Sequence, residues 1–142
     1  MVEIPQAAAE VITSGALAHL VTINRDGSPQ VTCVWTGIEG GEIVIGHLNL
    51  HQKIKNVRRE PRVALSWETG RAGGLGLEEY LVVHGEARVT EGGAPQLLQQ
   101  LAHVYIGPDV TFPPMPNPPP GYVMRILPQR FGGNGPWVSA AG

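Results

Sequence analysis

Apolar and polar residues alternate along this chain in short runs separated by glycine-containing turns, the pattern of many short strands. Ala18-His19-Leu20-Val21-Thr22-Ile23 reads as a strand from its β-branched content. Asn24-Arg25-Asp26-Gly27-Ser28 follows, and its Asp-Gly pair favours a tight hairpin turn. Pro29 suits the opening of a strand but not its middle, so the return strand is read from Gln30 to Thr36. Glu39-Gly40-Gly41 marks another turn, and Glu42 to His47 a third strand. These three runs predict an antiparallel meander.

Helical spacing appears in three places. Ala8, Val11 and Ile12 share one face of a helix read from Pro5 to Ser14, with Pro5 in its first turn and Gly15 at its end. Gln52 to Arg59 is polar apart from Ile54 and Val57, three residues apart, and stops before Glu60-Pro61. Leu97, Leu98, Leu101 and Val104 form a stripe along Ala94 to Tyr105. Strands are further predicted over Arg62 to Trp67, Tyr80 to Thr90 (with Gly85 as a bulge) and Tyr122 to Leu127. Thr69 to Gly76 reads as a glycine-rich loop, Pro108 to Pro120 as a stiff surface loop, and the tail from Phe131 has no period. The expectation is a mainly β protein: a six-stranded antiparallel barrel with two or three short helices in one domain over residues 1–142. No strand is followed by a long crossover helix, which argues against a Rossmann arrangement.

Composition narrows the class. At 42% hydrophobic residues over 142 positions the chain has the material for a packed core. A net charge of −2 argues against nucleic acid as a partner. Cys33 is the single cysteine, so no intrachain disulfide forms. No basic stretch precedes an apolar run and no apolar segment reaches the ~20 residues of a membrane span. A cytoplasmic location is the expectation.

Charge placement is the strongest local feature. Lys53, Lys55, Arg58, Arg59 and Arg62 are half of the ten cations, and only Glu60 opposes them nearby. Such a cluster at a helix start suits an anion, a phosphate or a carboxylate; the alternative is a solvated helix face packed through Ile54 and Val57. His47-x-x-x-His51, with His19 and His84, has no acidic or cysteine partner nearby in sequence, so no metal site is expected. Cys33 reads as a small filler between Val31 and Trp35. Trp35, Trp67, Trp137, Tyr105 and Tyr122 are the aromatic candidates for a pocket wall, each first a packing residue. Pro113 to Pro120 also has the composition of a polyproline ligand for another protein.

Taken in order, Leu20 to Ile23, Asp26-Gly27-Ser28-Pro29-Gln30-Val31, Ile43 to His47 and Gln52-Lys53-Ile54-Lys55-Asn56-Val57-Arg58-Arg59-Glu60-Pro61-Arg62-Val63-Ala64-Leu65 resemble the pyridoxamine-phosphate-oxidase-like, FMN-binding split β-barrels. More narrowly they are similar to the flavin/deazaflavin oxidoreductases of the B group, actinobacterial enzymes that use coenzyme F420. The resemblance covers about Ala18 to Thr90. It implies a homodimer with cofactor sites at the subunit interface. The phosphate contact falls to Lys53, helped by Gln52, Lys55 and Asn56. Contacts to the ring and ribityl chain fall to Thr32, Cys33 and Val34 on one strand and Gly46, His47 and Leu48 on the next. Relatives using FMN often carry serine or arginine two positions before the lysine, where this chain has His51. The implied activity is an F420H2-dependent reduction of a small planar acceptor of quinone, enone or tetrapyrrole type. An FMN-dependent oxidoreductase and a non-enzymatic carrier of F420 or haem, with His47 or His84 on the iron, are the alternatives.

Overall fold

The computed structural model describes residues 2–138. Its elements run α1 (Gln6–Ile12), β1 (Ala18–Ile23), β2 (Pro29–Val34), β3 (Gly37–Glu39), β4 (Glu42–His47), α2 (Gln52–Arg59), β5 (Arg62–Ala72), β6 (Glu78–Glu91), α3 (Ala94–Tyr105) and β7 (Tyr122–Asn134), with one 3₁₀ turn at Gly74–Gly76. The mainly β expectation holds, with seven strands rather than six. The extra strand, β3, occupies three residues between Thr36 and the Gly40-Gly41 turn, too short to show a period of two.

All seven strands lie in one antiparallel sheet in the order β2-β1-β5-β6-β7-β4-β3. The predicted meander is corrected here. β1 pairs with β2 as expected, but β4 leaves that hairpin and pairs with β7 on the far side of the sheet. β5 and β7 also outrun their expected ends, β5 into the presumed loop as far as Ala72 and β7 to Asn134. At Gly85 the β6–β7 register slips, His84 facing Arg130 while Gly85 faces Pro128, so Gln129 is the extra residue of the expected bulge.

Residues from both edges of the sheet share one core. Val34 of β2 and Ile43 and Ile45 of β4 pack with Leu20, Leu65, Trp67, Leu81, Met124 and Ile126, and Ile38 of β3 packs against them. Only a sheet folded over on itself brings its two ends together in this way: an open, split barrel. Helix α1 closes one end through Ala8, Val11 and Ile12. Helix α3 lies on the outside, with Leu97 and Leu101 against Val44 and Val123. Helix α2 is anchored by Ile54 and Val57, both essentially buried; each such side chain contributes about 1.5–3 kcal/mol.

A polar thread ties these layers together. Thr36 Oγ1 accepts from Trp67 Nε1 at 3.1 Å and donates to the Ile12 carbonyl at 2.8 Å. The Tyr105 hydroxyl accepts from the Thr36 N–H at 3.0 Å and donates to the Ala16 carbonyl at 2.9 Å. These contacts set α1 and α3 relative to the β2–β3 corner, where the candidate site begins.

Candidate functional site

A cleft of about 270 Å³ opens where the ends of β2 and β4 meet the start of α2, the middle of α3 and the proline loop; it is lined by Leu17, Cys33–Trp35, Ile45–His47, His51, Lys53, Leu98 and Phe112. Its two ends differ in chemistry. Trp35, Leu98, Phe112 and Leu17 give apolar surface, while His47, His51 and Lys53 give nitrogen.

The nitrogen end follows from the chain's turn out of β4. His47 is the last residue of that strand and is 4% exposed. Four residues later His51 becomes the N-cap of α2, with no side-chain capping bond. The His47 and His51 rings stand 5.8 Å apart, centroid to centroid, edge to face. Burial above all, and then the charge of Lys53 and the neighbouring His51, pushes His47 from its ordinary 6.5 down to about 3. Burial and Lys53 also lower His51, and burial lowers Lys53 itself. At neutral pH both imidazoles are therefore uncharged, and Lys53 is the cation of the cleft. Among the described residues two buried side-chain polar atoms have no hydrogen-bond partner, Nε2 of His47 and Oγ1 of Thr32. Burying a polar atom unpaired costs about 1–3 kcal/mol, so each is a place where a bound group gains an interaction the protein alone does not make.

The aromatic end is a stack. Trp35 lies nearly parallel to Tyr105, centroids 5.3 Å apart and planes 14° apart, and Phe112 meets Trp35 at 5.3 Å and 56°. Where α3 crosses β4 the approach is close: a Cβ on Gly46 would stand 3.0 Å from Leu98 Cγ, and Leu98 would have to shift to admit it. Gly46 thus lets Leu98 form the cleft's ceiling.

The structure brings together Cys33, Val34, Gly46, His47 and Lys53 of the residues implied by the resemblance. It places the other five outside the lining. Thr32 points toward the interior, Leu48 is half-buried, and Gln52 and Lys55 are exposed at the start of α2. Asn56 is fully buried and belongs to a polar node instead: its Nδ2 donates to Thr22 Oγ1 at 3.0 Å, Asn24 Oδ1 at 2.9 Å and Gln30 Oε1 at 3.3 Å, and its Oδ1 accepts from Gln52 at 2.9 Å. The node fastens α2 to the β1–β2 hairpin.

The cationic cluster is divided by its partners. Arg62 forms a two-pronged pair with Glu60, at 2.6 and 3.1 Å. Arg59 donates to the Ile23 carbonyl, and Arg58 lies over the Tyr122 ring at 5.4 Å and 4.0 Å from Glu91. Among the described residues, Lys53 and Lys55 have no carboxylate partner. Trp67 and Trp137 are core residues, and Tyr122 serves Arg58. His84 lies away from the cleft, in a hollow with Arg62, Gln129 and Arg130. Among the described residues no three His, Cys, Asp or Glu side chains converge on a metal position.

Sequence reasoning did not assign Leu17, Ile45, Leu98 or Phe112 to the site, and it met His51 only as a metal candidate and as the departure from FMN-using relatives two positions before Lys53. Leu98 belongs to a stripe that reads as core, and Phe112 stands inside a loop. The one sequence sign for Phe112 is its place as the sole large aromatic at the head of the proline run.

Comparison with known proteins agrees with this architecture. A family model described as pyridoxamine 5'-phosphate oxidase matches residues 4–132. Among solved structures, an F420 reductase is similar over 91% of this chain and 98% of its own, at 23% identity and a TM-score of 0.71. A conserved hypothetical protein of Mycobacterium tuberculosis, Rv2991, is similar over 94% and 85%, at 23% identity and 0.68. A FAD-binding protein of Mesorhizobium loti is similar over 92% and 94%, at 18% identity and 0.64. At these identities the likeness is one of fold. No curated protein matches.

Proposed function

The chain belongs to the pyridoxamine 5'-phosphate oxidase family, and from that premise we propose that it is an F420H2-dependent reductase of a small planar acceptor, working as a cytoplasmic homodimer of one cofactor-binding domain over residues 1–142. The observation that carries this reading is the polarity of the cleft: a half-buried lysine at one end, an aromatic stack at the other, and a neutral, unpartnered imidazole between strand and helix. A flat ring with a phosphate-bearing arm matches that order. The F420 reductase and the FAD-binding protein among the structural neighbours support a flavin-type cofactor.

In this reading Lys53 holds the phosphate, supported by free N–H groups of the uncapped first turn of α2. His47 adds a hydrogen bond without adding charge, because its surroundings keep it neutral. Trp35, Leu98 and Phe112 orient the ring and exclude water from it. F420, when bound, supplies the hydride chemistry, and the protein supplies position and dryness. The acceptor lies on the open side of the cleft.

A volume of about 270 Å³ is just below the ~300–1,000 Å³ usual for such sites. That small size supports the homodimer, in which a second copy would complete each cleft. Val31, 58% exposed, and Cys33 stand on the edge strand beside the cleft and offer it an apolar border.

Titration with F420, followed by its fluorescence, tests the reading. We expect saturable binding that Lys53→Ala weakens at least tenfold, with Tm within a few degrees of the parent. Equal affinity of Lys53→Ala refutes the phosphate assignment. Failure to bind F420, FMN and FAD alike refutes the function. The commitment of Arg58, Arg59 and Arg62 to protein partners favours one specific rival, an FMN enzyme, whose single phosphate needs only Lys53. That rival predicts a yellow protein as purified from a host without F420.

A further inference from the structure

One side chain, Gln99, makes two hydrogen bonds to the backbone where the proline loop reaches the cleft. Pro113, Pro114, Pro116, Pro118 and Pro119 have no N–H to donate. Among the described residues, the N–H groups that remain from Thr111 to Pro119 make one hydrogen bond to the rest of the protein, from Phe112 to Gln99 Oε1 at 3.0 Å. The same amide turns its Nε2 to the Val110 carbonyl at 2.8 Å, and to His103 Nε2 at 3.0 Å. Gln99 thus grips the loop on both sides of Thr111 with the complementary ends of one amide. It does so from α3, one residue beyond Leu98, which lines the cleft.

We infer that Gln99 is a positioning residue that sets the cleft's selectivity for flat rings. The grip holds Phe112 against Trp35, which also stacks on Tyr105. The resulting wall is rigid on the side a ring must meet, and its spacing from Leu98 is fixed because Gln99 and Leu98 share a helix. A ligand is then admitted by thickness at this end and by charge at the Lys53 end. Among the described residues no hydrogen bond joins Gln99 to His47, His51 or Lys53, so the two ends can be tested separately. This inference rests on the cofactor reading above.

Two probes separate the ends: F420 itself, and the same deazaflavin ring with its ribityl chain but no phosphate or tail. Gln99→Ala and Phe112→Ala are each expected to weaken both probes by about tenfold, the size of one lost interaction of this kind. Lys53→Ala is expected to weaken F420 alone. Gln99→Glu keeps the acceptor for Phe112 but turns a carboxylate toward the Val110 carbonyl, and should fall between parent and Gln99→Ala. Without ligand, limited proteolysis within residues 108–120 should be faster in Gln99→Ala than in the parent. If the parent binds the ring-only probe and Gln99→Ala binds it within twofold, the inference is overturned while the cofactor reading stands. If Gln99→Ala weakens F420 but leaves the ring-only probe unchanged, its effect runs through the phosphate end and the inference is again overturned. A parent that binds neither probe overturns the cofactor reading and this inference with it.

Discussion

His47 is where single-residue energetics speak most directly. Its folded value of about 3 lies below the 6.5 of the free imidazole. Above pH 6.5 neither the folded nor the unfolded chain holds that proton, and the full stability is present. As the pH falls from 6.5 toward 3, the unfolded chain takes up a proton the folded one refuses, so stability drops by as much as ~1.4 kcal/mol per pH unit. Between pH 7 and pH 5 the loss from His47 alone should be about 2 kcal/mol. Urea unfolding of the parent and of His47→Gln at both pH values measures it; the parent should lose about that much more than the variant, and equal losses would contradict the assigned burial. Asn56 offers a second case. Asn56→Asp replaces the donor that faces Thr22, Asn24 and Gln30 with an acceptor in a fully buried node. Destabilisation of about 2–4 kcal/mol is expected by chemical denaturation, beyond that of an ordinary lost hydrogen bond.

Among the elements, the turn into β7 governs how strand, helix and site fit together. Gly121 holds φ +63°, and a Cβ there would come within 2.7 Å of the Ala94 Cβ and 3.0 Å of the Leu48 Cα. Gly121→Ala should cost about 2–4 kcal/mol and lower Tm by more than 5 °C, through backbone strain and displacement of α3 from β4; differential scanning calorimetry reads it. Local pattern was sufficient for the elements that carry their own signature. The α2 and α3 boundaries match because Ile54 and Val57, or Leu97 and Leu101, repeat at helical steps and stop at Glu60-Pro61 or begin after Gly93. Pattern was insufficient for β7, whose second half includes Pro128, Gly132 and Gly133 and so breaks the alternation. It was also blind to the β4–β7 pairing, in which His47 meets Tyr122 across 75 residues of chain. The site divides along the same line. Cys33, Val34, Gly46, His47 and Lys53 stand on segments whose order resembles a known family. Leu17, Leu98 and Phe112 come from three other elements and meet only once the sheet has folded over.

For the molecule as a whole, the expectation is that the working unit is two chains. Val31, exposed on edge strand β2, would then be covered. Val31→Asp should convert the protein to a monomer in sedimentation-velocity experiments and reduce F420 affinity at least tenfold, while the monomer's far-ultraviolet circular dichroism stays that of the parent. A variant that remains dimeric, or a monomer with parental affinity, would show that the cleft of one chain suffices. The sheet's connectivity gives this expectation its form: β2, which carries Val31 and Cys33, is an edge, so whatever covers it also touches the rim of the cleft. That rim carries the chain's one thiol. A maleimide dye added to the unmodified protein would attach at a single known address, and its rate of attachment and emission would report, in real time, when the neighbouring space is filled.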